Sequence, residues 1–477
     1  MDTFKVISLL QGVGEFHFAG QIGTDAFALG SRQSSSVVPL NISAGEPAEI
    51  GSPLWQGEDY DFRFSSGALY SDSDGQSLWL WDHLSGTARH TDLANGRPTG
   101  GLNSLTDLDT QGLLPLSNDL AVSLGSNHLD LLRVSDPTSW ERLDRVYDKA
   151  KSNARASSGL IVDIKGEKYV VTASDTDGGL SAFVLENNSL VLRDTIGAKD
   201  GLWTDGISAI KAVNAGDTCY ILAASSGSNV VVSLRLNPNG VFFVEDIVWD
   251  DRNTRFTDTT DLTTFAIGNR NFVALGGSDK GLSLFELLPD GRLWHHNSIA
   301  QTIAWDIGAV TKIEAVETVS GIQLFVSGTK QNGIAQLALD PSDLGQLVAG
   351  DDGADELSGG EKEDFLMGGS GDDYLFGGGL DDTLIGGEGA DTLSGGEGAD
   401  VFVFENDGQI DLITDFQKGL DRLDLREWGR LYDPTALSIS ATTQGARIEW
   451  QNQRLDIHSK SNQSIDPSEW SADDFIF

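Results

Sequence analysis

Cysteine is all but missing from this chain. Only Cys219 occurs in 477 residues, which excludes an intramolecular disulfide framework. It stands in the apolar run Thr218-Cys219-Tyr220-Ile221-Leu222-Ala223-Ala224, where a buried thiol is expected rather than a nucleophile. Basic residues are scarce too, with 32 Lys and Arg against 72 Asp and Glu and a formal net charge of −40. That balance argues against nucleic acid or an anionic membrane as the main partner and favours cations or basic surfaces. No apolar run reaches 18 residues, so no transmembrane segment is expected. The opening Met1 to Gly14 lacks a basic start and a small-residue cleavage site, which speaks against a cleaved signal peptide. Catalytic signatures are missing as well: there is no G-x-S-x-G elbow, P-loop, C-x-x-C pair or dinucleotide fingerprint. Whether the chain is an enzyme stays open on these grounds. What it does have is 39% hydrophobic residues, with 11 Trp and 21 Phe, enough for more than one core.

Between Gly350 and Val403 six nine-residue units follow one another: GDDGADELS, GGEKEDFLM, GGSGDDYLF, GGGLDDTLI, GGEGADTLS and GGEGADVFV. The sixth position is always Asp, at Asp355, Asp364, Asp373, Asp382, Asp391 and Asp400, and the eighth is Leu357, Leu366, Leu375, Leu384, Leu393 or Phe402. Glycine permits a tight turn with positive φ that lets carbonyls converge, and Asp adds the hard anionic oxygen that calcium prefers. The short strand after each turn then points its eighth side chain inward. One unit is half a coil, so the six predict about three coils, none stable alone. A flexible Gly/Asp-rich linker would have no reason to repeat the apolar eighth position. These residues carry fifteen Asp and Glu against Lys362 alone, so the segment repels itself open without cations. The candidate ligands for calcium (Ca2+) are Gly350, Gly353, Asp355, Gly360, Asp364, Gly369, Gly371, Asp373, Gly378, Asp382, Gly387, Gly389, Asp391, Gly396, Gly398 and Asp400. Lys362 and Leu380 replace the glycine of the fourth position, so the turns they belong to are expected to bind weakly or not at all. The pattern resembles the glycine-rich repeat of RTX β-rolls.

Phe402 to Leu425 (FVFENDGQIDLITDFQKGLDRLDL) resembles the continuation after the β-roll in serralysin-type proteins and other RTX proteins exported by type I secretion. The resemblance implies a β cap on the roll, with Asp411, Asp415, Asp421 and Asp424 in matching acidic positions and Ile413, Phe416, Leu423 and Leu425 as apolar partners. The ending Asp473-Asp474-Phe475-Ile476-Phe477 is similar to the acidic-then-hydrophobic terminus of the uncleaved secretion signal. The zinc signature HExxH of the serralysins is absent, and the seven histidines are scattered at His17, His83, His90, His128, His295, His296 and His458. A metalloprotease is therefore rejected.

The first 340 residues repeat at a longer period. Gly-, Asn- or Asp-rich turns precede apolar strands opening at Leu78, Leu129, Leu180, Val230, Leu282 and Ile334, at separations of 51, 51, 50, 52 and 52 residues. Each has an apolar partner upstream, as in KYVVTAS, CYILAAS, NFVALGG and IQLFVSG, so each turn reads as a hairpin tip. Second turns fall at Glu186-Asn187-Asn188, Pro238-Asn239-Gly240 and Pro289-Asp290-Gly291. Three or four strands per ~50 residues match a β-propeller blade. A looser unit near Val37, only 41 residues before Leu78, makes the count seven, with six and an irregular extension as the alternative. A β-sandwich or a helix of stacked strands is the competing architecture. The wording of the units resembles the seven-bladed lactonase-like propellers, a likeness of fold that carries no function by itself.

Candidate chemistry in this region is thin. His295 and His296 are adjacent and on a strand would face opposite sides. Trp79, Trp81, Trp203, Trp249, Trp294 and Trp305 recur near strand ends and are expected to pack between blades. Asp205 and Asp306, 101 residues apart, either ring a channel or stabilise turns, the latter being favoured.

The sequence thus predicts an all-β protein: a β-propeller of six or seven blades over residues 1–344, a calcium-binding parallel β-roll over 345–403, and a cap with secretion signal over 404–477. The expected function is that of a secreted calcium-binding RTX protein exported through a type I apparatus. Its propeller is expected to serve binding or adhesion, to a cell-surface or extracellular ligand. An extracellular propeller hydrolase, of lactonase or phosphoesterase type, is the alternative.

Overall fold

A computed structural model of the chain describes residues 4–10, 16–22, 26–31, 36–41, 48–50, 66–72, 75–82, 87–94, 97–98, 103–105, 112–117, 119–125, 127–136, 139–147, 156–174, 178–202, 204–318, 321–330, 333–429, 431 and 433–477. They fall into two compact units, one made of residues 271–340 and those before 268, the other essentially of residues 341–477. Among the described residues the only helical pieces are short 3-10 turns.

Among the described residues the first unit is built from seven antiparallel sheets, six of four strands and one of five. In the sheet of Ile207–Ala215, Thr218–Ser225, Val230–Leu236 and Phe242–Trp249, the two middle strands are buried almost from end to end, whereas the outer strand is half-exposed. Continuous apolar runs such as Val230-Val231-Val232 are what a strand covered on both faces requires. Each face lies against a neighbouring sheet: Val230 and Val232 pack with Val171 and Ala182, while Val231 packs with Phe256, Leu262 and Phe285.

The inner strands are Phe16–Ile22, Ser66–Asp72, Gly112–Pro115, Ala156–Ile164, Ile207–Ala215, Asp261–Ile267 and Val310–Thr318, and each neighbours the next. The last of them neighbours the first, so the ring closes. Strand Phe4–Leu10 completes the closure by pairing antiparallel with Ile334–Leu339, placing the start of the chain in the last sheet. Closure gives every blade a neighbour on both faces, and the radial arrangement leaves only short sheet edges. The architecture is a seven-bladed β-propeller, and the sandwich, the stacked helix and the six-blade count are set aside.

One detail of the repeat differs from the sequence reading. Leu129, Leu180, Val230, Leu282 and Ile334 lie on the third strand of their sheets, but Leu78 lies on the second, in Gly75–Asp82. The third strand of that sheet is Thr87–Ala94, so the short spacing falls between this blade and the next, not before it. The second turns at residues 186–188, 238–240 and 289–291 do join third and fourth strands.

Adjacent blades are fastened by a recurring carboxylate. Asp144, Asp194 and Asp246 sit at bulges of outer strands, where one oxygen accepts from the following amide. The other accepts from the fourth strand of the next blade: Leu190 N to Asp144 at 2.9 Å, Phe242 N to Asp194 at 2.9 Å and Leu293 N to Asp246 at 2.8 Å. Tyr169 and Tyr220 add a second tie by donating their hydroxyls to the carbonyls of Pro238 and Pro289.

The second unit is a solenoid of two mainly parallel sheets. One runs Leu344–Ala349, Glu363–Ser370, Thr383–Glu388, Val401–Val403, Arg422–Asp424 and Phe475–Ile476. The other runs Glu356–Ser358, Tyr374–Gly379, Thr392–Glu397, Ile410–Phe416 and Gln453–Ser459, followed by antiparallel Gly445–Trp450 and Ser438–Ala441. Leu366, Leu375, Leu384, Leu393 and Phe402 from the eighth positions are fully buried between the sheets, with Leu357 partly so at the first coil. Each buried side chain of this size contributes about 1.5–3 kcal/mol, which exists only once coils stack.

The solenoid is longer than the six glycine-rich units. Leu412 and Ile413 pair with Thr392 and Leu393, and Arg422 and Leu423 pair with Val401 and Phe402, so residues 406–414 and 416–424 continue the nine-residue pattern. Upstream, Val348 pairs with Leu366, making residues 341–349 a preceding unit. The roll therefore has about four coils rather than three.

Candidate metal centre

A ladder of carboxylates runs along both rows of turns. From Asp364 onward, one oxygen, Oδ1, of each sixth-position Asp accepts from the sixth-position amide one coil earlier. Asp355 N donates to Asp373 at 2.8 Å, Asp364 N to Asp382 at 2.8 Å, Asp373 N to Asp391 at 2.9 Å and Asp382 N to Asp400 at 3.0 Å. The ladder extends past the repeats, from Asp391 N to Asp411 at 3.0 Å and from Asp400 N to Asp421 at 3.1 Å. The steps there are 20 and 21 residues instead of 18. At the other end Gln346 N donates to Asp364 at 2.7 Å.

The second oxygen, Oδ2, separates the turns into two kinds. In Asp373, Asp382, Asp391 and Asp400 it is buried without a hydrogen-bond donor. In Asp355, Asp364 and Asp421 it accepts from the second-position amide of its own unit: Asp351 N at 2.8 Å, Gly360 N at 2.6 Å and Gln417 N at 2.7 Å. The backbone explains the split. Gly369, Gly378, Gly387 and Gly396 have φ of 108°, 119°, 103° and 98°, a left-handed conformation that turns the amide away, whereas Asp351, Gly360 and Gln417 lack positive φ.

Oxygens crowd the first-position glycines in both kinds of turn, since β-carbons built on Gly350 and Gly359 would also lie 2.5 and 2.7 Å from Asp355 and Asp364 Oδ2. A β-carbon built on Gly368 would lie 2.3 Å from Asp373 Oδ2 and 2.3 Å from the Gly386 carbonyl oxygen. On Gly377 it would lie 2.3 Å from Asp382 Oδ2 and 2.7 Å from the Gly395 carbonyl oxygen. What sets Asp373, Asp382, Asp391 and Asp400 apart is a buried carboxylate oxygen with no proton donor, which suits a cation. Burial pushes Asp382 up to about 8, Asp391 to about 7 and Asp400 to about 6, with repulsion from carboxylates of adjacent coils adding to it. Burial likewise raises Asp373, and takes Asp411 and Asp421 to about 7. The carboxylates of these turns are thus held in a place that disfavours their own charge unless a cation joins them. Oxygen-only ligation by single carboxylates and carbonyls is the chemistry of calcium.

The expected site residues divide accordingly. Asp373, Asp382, Asp391 and Asp400 have the free oxygens, and Gly369, Gly371, Gly378, Gly387, Gly389, Gly396 and Gly398 carry the positive φ expected of them. Gly353 and Gly360 do not, in the coil where backbone amides satisfy Asp355 and Asp364, and Gly350 is a first-position glycine, a place where Gly368, Gly377, Gly386 and Gly395 lack positive φ too. Leu380 adopts φ of 63° in spite of its side chain, so its turn keeps the glycine shape, and its carbonyl still lies 2.0 Å from a β-carbon built on Gly398. Lys362 departs from that shape and donates to the Ser342 carbonyl at 2.8 Å. The first-position glycines Gly359, Gly368, Gly377, Gly386 and Gly395, which are not among the expected ligands, lie against the sixth-position carboxylates, and the doubled glycine opening each unit is the sequence signal for that close approach.

Asp415 takes up the amides of Gly395 and Gly396 and the Ser394 hydroxyl, and Asp424 pairs with Arg426. The final acidic-hydrophobic stretch is folded in: Asp474 is buried against the Lys418 ammonium at 2.7 Å, which holds its carboxyl below the usual range, and Phe475 is buried in the same core.

In the propeller, Asp205 is exposed in a turn braced by Gly227 N and the Ser225 hydroxyl on its carbonyl, and Asp306 pairs with Lys330. His296 bonds Glu286 at 2.7 Å and His295 bonds Ser298 at 2.9 Å, each ring against a different Phe. Trp79 and Trp305 are fully buried and Trp81 nearly so, but Trp294 is half-buried and Trp249 is 57% exposed, so packing between blades does not account for all of them. Trp203 and His83 lie outside the described residues, as do the side chains of His17 and His90. Cys219 is buried, and burial pushes its thiol up to about 11. Among the described residues no three His, Cys, Asp or Glu side chains converge as a metal cluster. An open depression of about 680 Å³ is lined by Lys280, Gln301, Thr302, Ile303, Ala304 and Asp306.

Fold and ladder together define an all-β protein with a seven-bladed ring and a cation-binding type of roll. The RTX calcium-binding nonapeptide repeat matches residues 349–384 and 376–407, so this segment carries repeats of a calcium-binding family. No curated protein matches the chain. Among solved structures, a protein from Lactobacillus plantarum is similar at 14% identity and a TM-score of 0.47, over 62% of this chain and 88% of that one. That likeness is too slight to support the fold, which rests on the sheet pairing itself.

Proposed function

We propose that this is a secreted protein whose roll folds on calcium after export, carrying the propeller as an extracellular binding domain. The observation that supports it most is the set of four buried, donorless Oδ2 oxygens at Asp373, Asp382, Asp391 and Asp400. Calcium supplies the positive charge and the six to eight oxygen contacts that such turns lack. The first-position glycines leave room at each carboxylate, the second-position glycines turn their amides aside, and the Oδ1 ladder fixes the carboxylates in register. Without that charge the acidic segment repels itself, so low calcium favours an open chain and high calcium a folded one. At free calcium ten times the dissociation constant each site adds about 1.4 kcal/mol to the folded form.

Export through a type I apparatus and a binding or adhesion role for the propeller belong to the same reading. The absence of a three-residue His or carboxylate cluster among the described residues leaves the hydrolase alternative without a specific observation in its favour. Two measurements test the proposal. Equilibrium dialysis of the full chain should show several bound calcium ions. Co-expression with a type I apparatus should deliver the full chain, but not a chain lacking residues 341–477, to the medium. No bound calcium, or equal delivery of both chains, contradicts it.

A further inference from the structure

The row of turns containing Asp364, Asp382, Asp400 and Asp421 ends in the same way on both sides. In its first coil the Lys362 ammonium donates to the carbonyl of Ser342 at 2.8 Å. In its last glycine-rich coil the Lys460 ammonium donates to the carbonyl of Gly396 at 2.8 Å and to Glu397 at 2.9 Å. Ser342 and Gly396 are equivalent, each being the second residue of its nine-residue unit.

Interior carbonyls of this kind meet something else. The Gly378 oxygen lies 2.2 Å from a β-carbon built on Gly396, and the Gly360 oxygen 2.1 Å from one built on Gly378, so each abuts a glycine of the next coil. Past Gly396 the next coil offers Gln417 instead. Its carboxamide donates to the carbonyls of Gly396 at 3.2 Å and Gly398 at 3.4 Å, while the Lys460 amide donates to Phe416 O at 3.0 Å. The carboxylates at these ends are satisfied as well, since Asp364 and Asp421 each accept an amide on Oδ2. Among the described residues both ends of the row thus have an ammonium that the interior lacks, and the outermost carboxylates, Asp364 and Asp421, are satisfied, whereas Asp400 in the coil that Lys460 reaches keeps its donorless Oδ2 on the interior side. Lys362 is also the one base in the six glycine-rich units.

We propose that Lys362 and Lys460 are tethered cations that close the two ends of this row in place of calcium, confining calcium to the interior turns. The inference rests on the calcium reading above. It gives the roll fixed, metal-independent ends from which calcium-filled coils build, and it sets the number of ions lower than the number of turns. An ammonium is a compact point charge with three donors, suited to carbonyl oxygens and to neutralising a carboxylate such as Glu397.

The test counts calcium bound to the full chain by equilibrium dialysis in the wild type, Lys362→Met, Lys460→Met and Lys460→Ala/Gln417→Gly. Methionine keeps the aliphatic stem and removes the charge; the double variant restores the interior pattern at the last coil. The expected result is one more calcium per chain for each opened end, with full β signal recovered at saturating calcium and a several-fold higher midpoint. A count equal to wild type in folded variants overturns the inference. So does a β signal that saturating calcium fails to restore, which assigns the lysines to packing. A wild-type chain binding no calcium removes the underlying reading instead, so the two failures are distinguishable.

Discussion

The backbone amide of Asp382 donates to Oδ1 of Asp400 at 3.0 Å, and Oδ2 of the same Asp400 is buried with no donor. One carboxylate thereby does two separate jobs: it fixes the spacing between coils and leaves a charged oxygen that the chain itself does not satisfy.

Separating those jobs by mutation is direct. Asp382→Asn keeps an oxygen for the Asp364 amide but removes the charge. The full chain should lose a calcium ion and require several-fold more free calcium for half of its β signal, a loss of about 1–2 kcal/mol at moderate excess of metal. Circular dichroism against free calcium reads this, and an unchanged midpoint would speak against Asp382 as a ligand.

The glycines predict a contrast between an interior turn and the first coil. In Gly387→Ala the new β-carbon meets the Gly369 carbonyl at 1.9 Å in a residue with φ of 103°. Backbone cannot yield as a side-chain end does, so a cost of about 1–3 kcal/mol or more is expected, seen as a higher calcium midpoint. Gly353→Ala meets only Asp351 Oδ1, at 3.5 Å, and should leave the midpoint within error.

Protons should partly replace calcium. Asp382, Asp391 and Asp400 are pushed up to about 8, 7 and 6 in the folded roll from an ordinary value of 3.8. A raised folded value means the folded form binds more protons, so stability is greatest below about 4 and is lost as pH rises through 6 to 8. In chelator, the β signal of the roll should grow as pH falls from 8 toward 5. In saturating calcium the dependence should flatten. A chelated chain that gains no order on acidification contradicts the assignment.

In the propeller, Asp194→Ala removes acceptors from Thr195 N and Phe242 N, each at 2.9 Å, and so loosens one blade from the next. Leaving these amides short of a partner should cost about 1–3 kcal/mol, measurable as a lower thermal midpoint of the propeller transition. Asp194→Asn, which retains an oxygen for one of them, should fall between the two.

Much of this architecture is visible in the residues, and the gaps have identifiable causes. Val230-Val231-Val232 and Pro238-Asn239-Gly240 announce a buried strand and its turn because local chemistry alone decides them. The position of Leu78 on a second strand does not show, since neighbouring strands of a blade are equally apolar and only pairing tells them apart. Asp144, Asp194 and Asp246 recur at 50 and 52 residues, yet an Asp on an outer strand reads as solvated surface until the next blade's amide is seen. In the roll, the sixth and eighth positions stand out through repetition. Residues 406–414 and 416–424 escape notice because inserted residues shift the step to 20 and 21 and most glycines are gone, although Asp411, Ile413, Asp421 and Leu423 keep the ligand and core positions. The division of the aspartates into donorless and satisfied ones depends on backbone φ at the preceding turn, which composition does not reveal.

Hydrogen exchange of the full chain, read by mass spectrometry in millimolar calcium and again after dialysis against chelator at pH 8, addresses the central claim most directly. The account predicts that peptides spanning residues 368–403 are strongly protected in calcium and exchange freely without it, while propeller peptides such as 218–236 stay protected in both. Equal protection of residues 368–403 in the two conditions would contradict it.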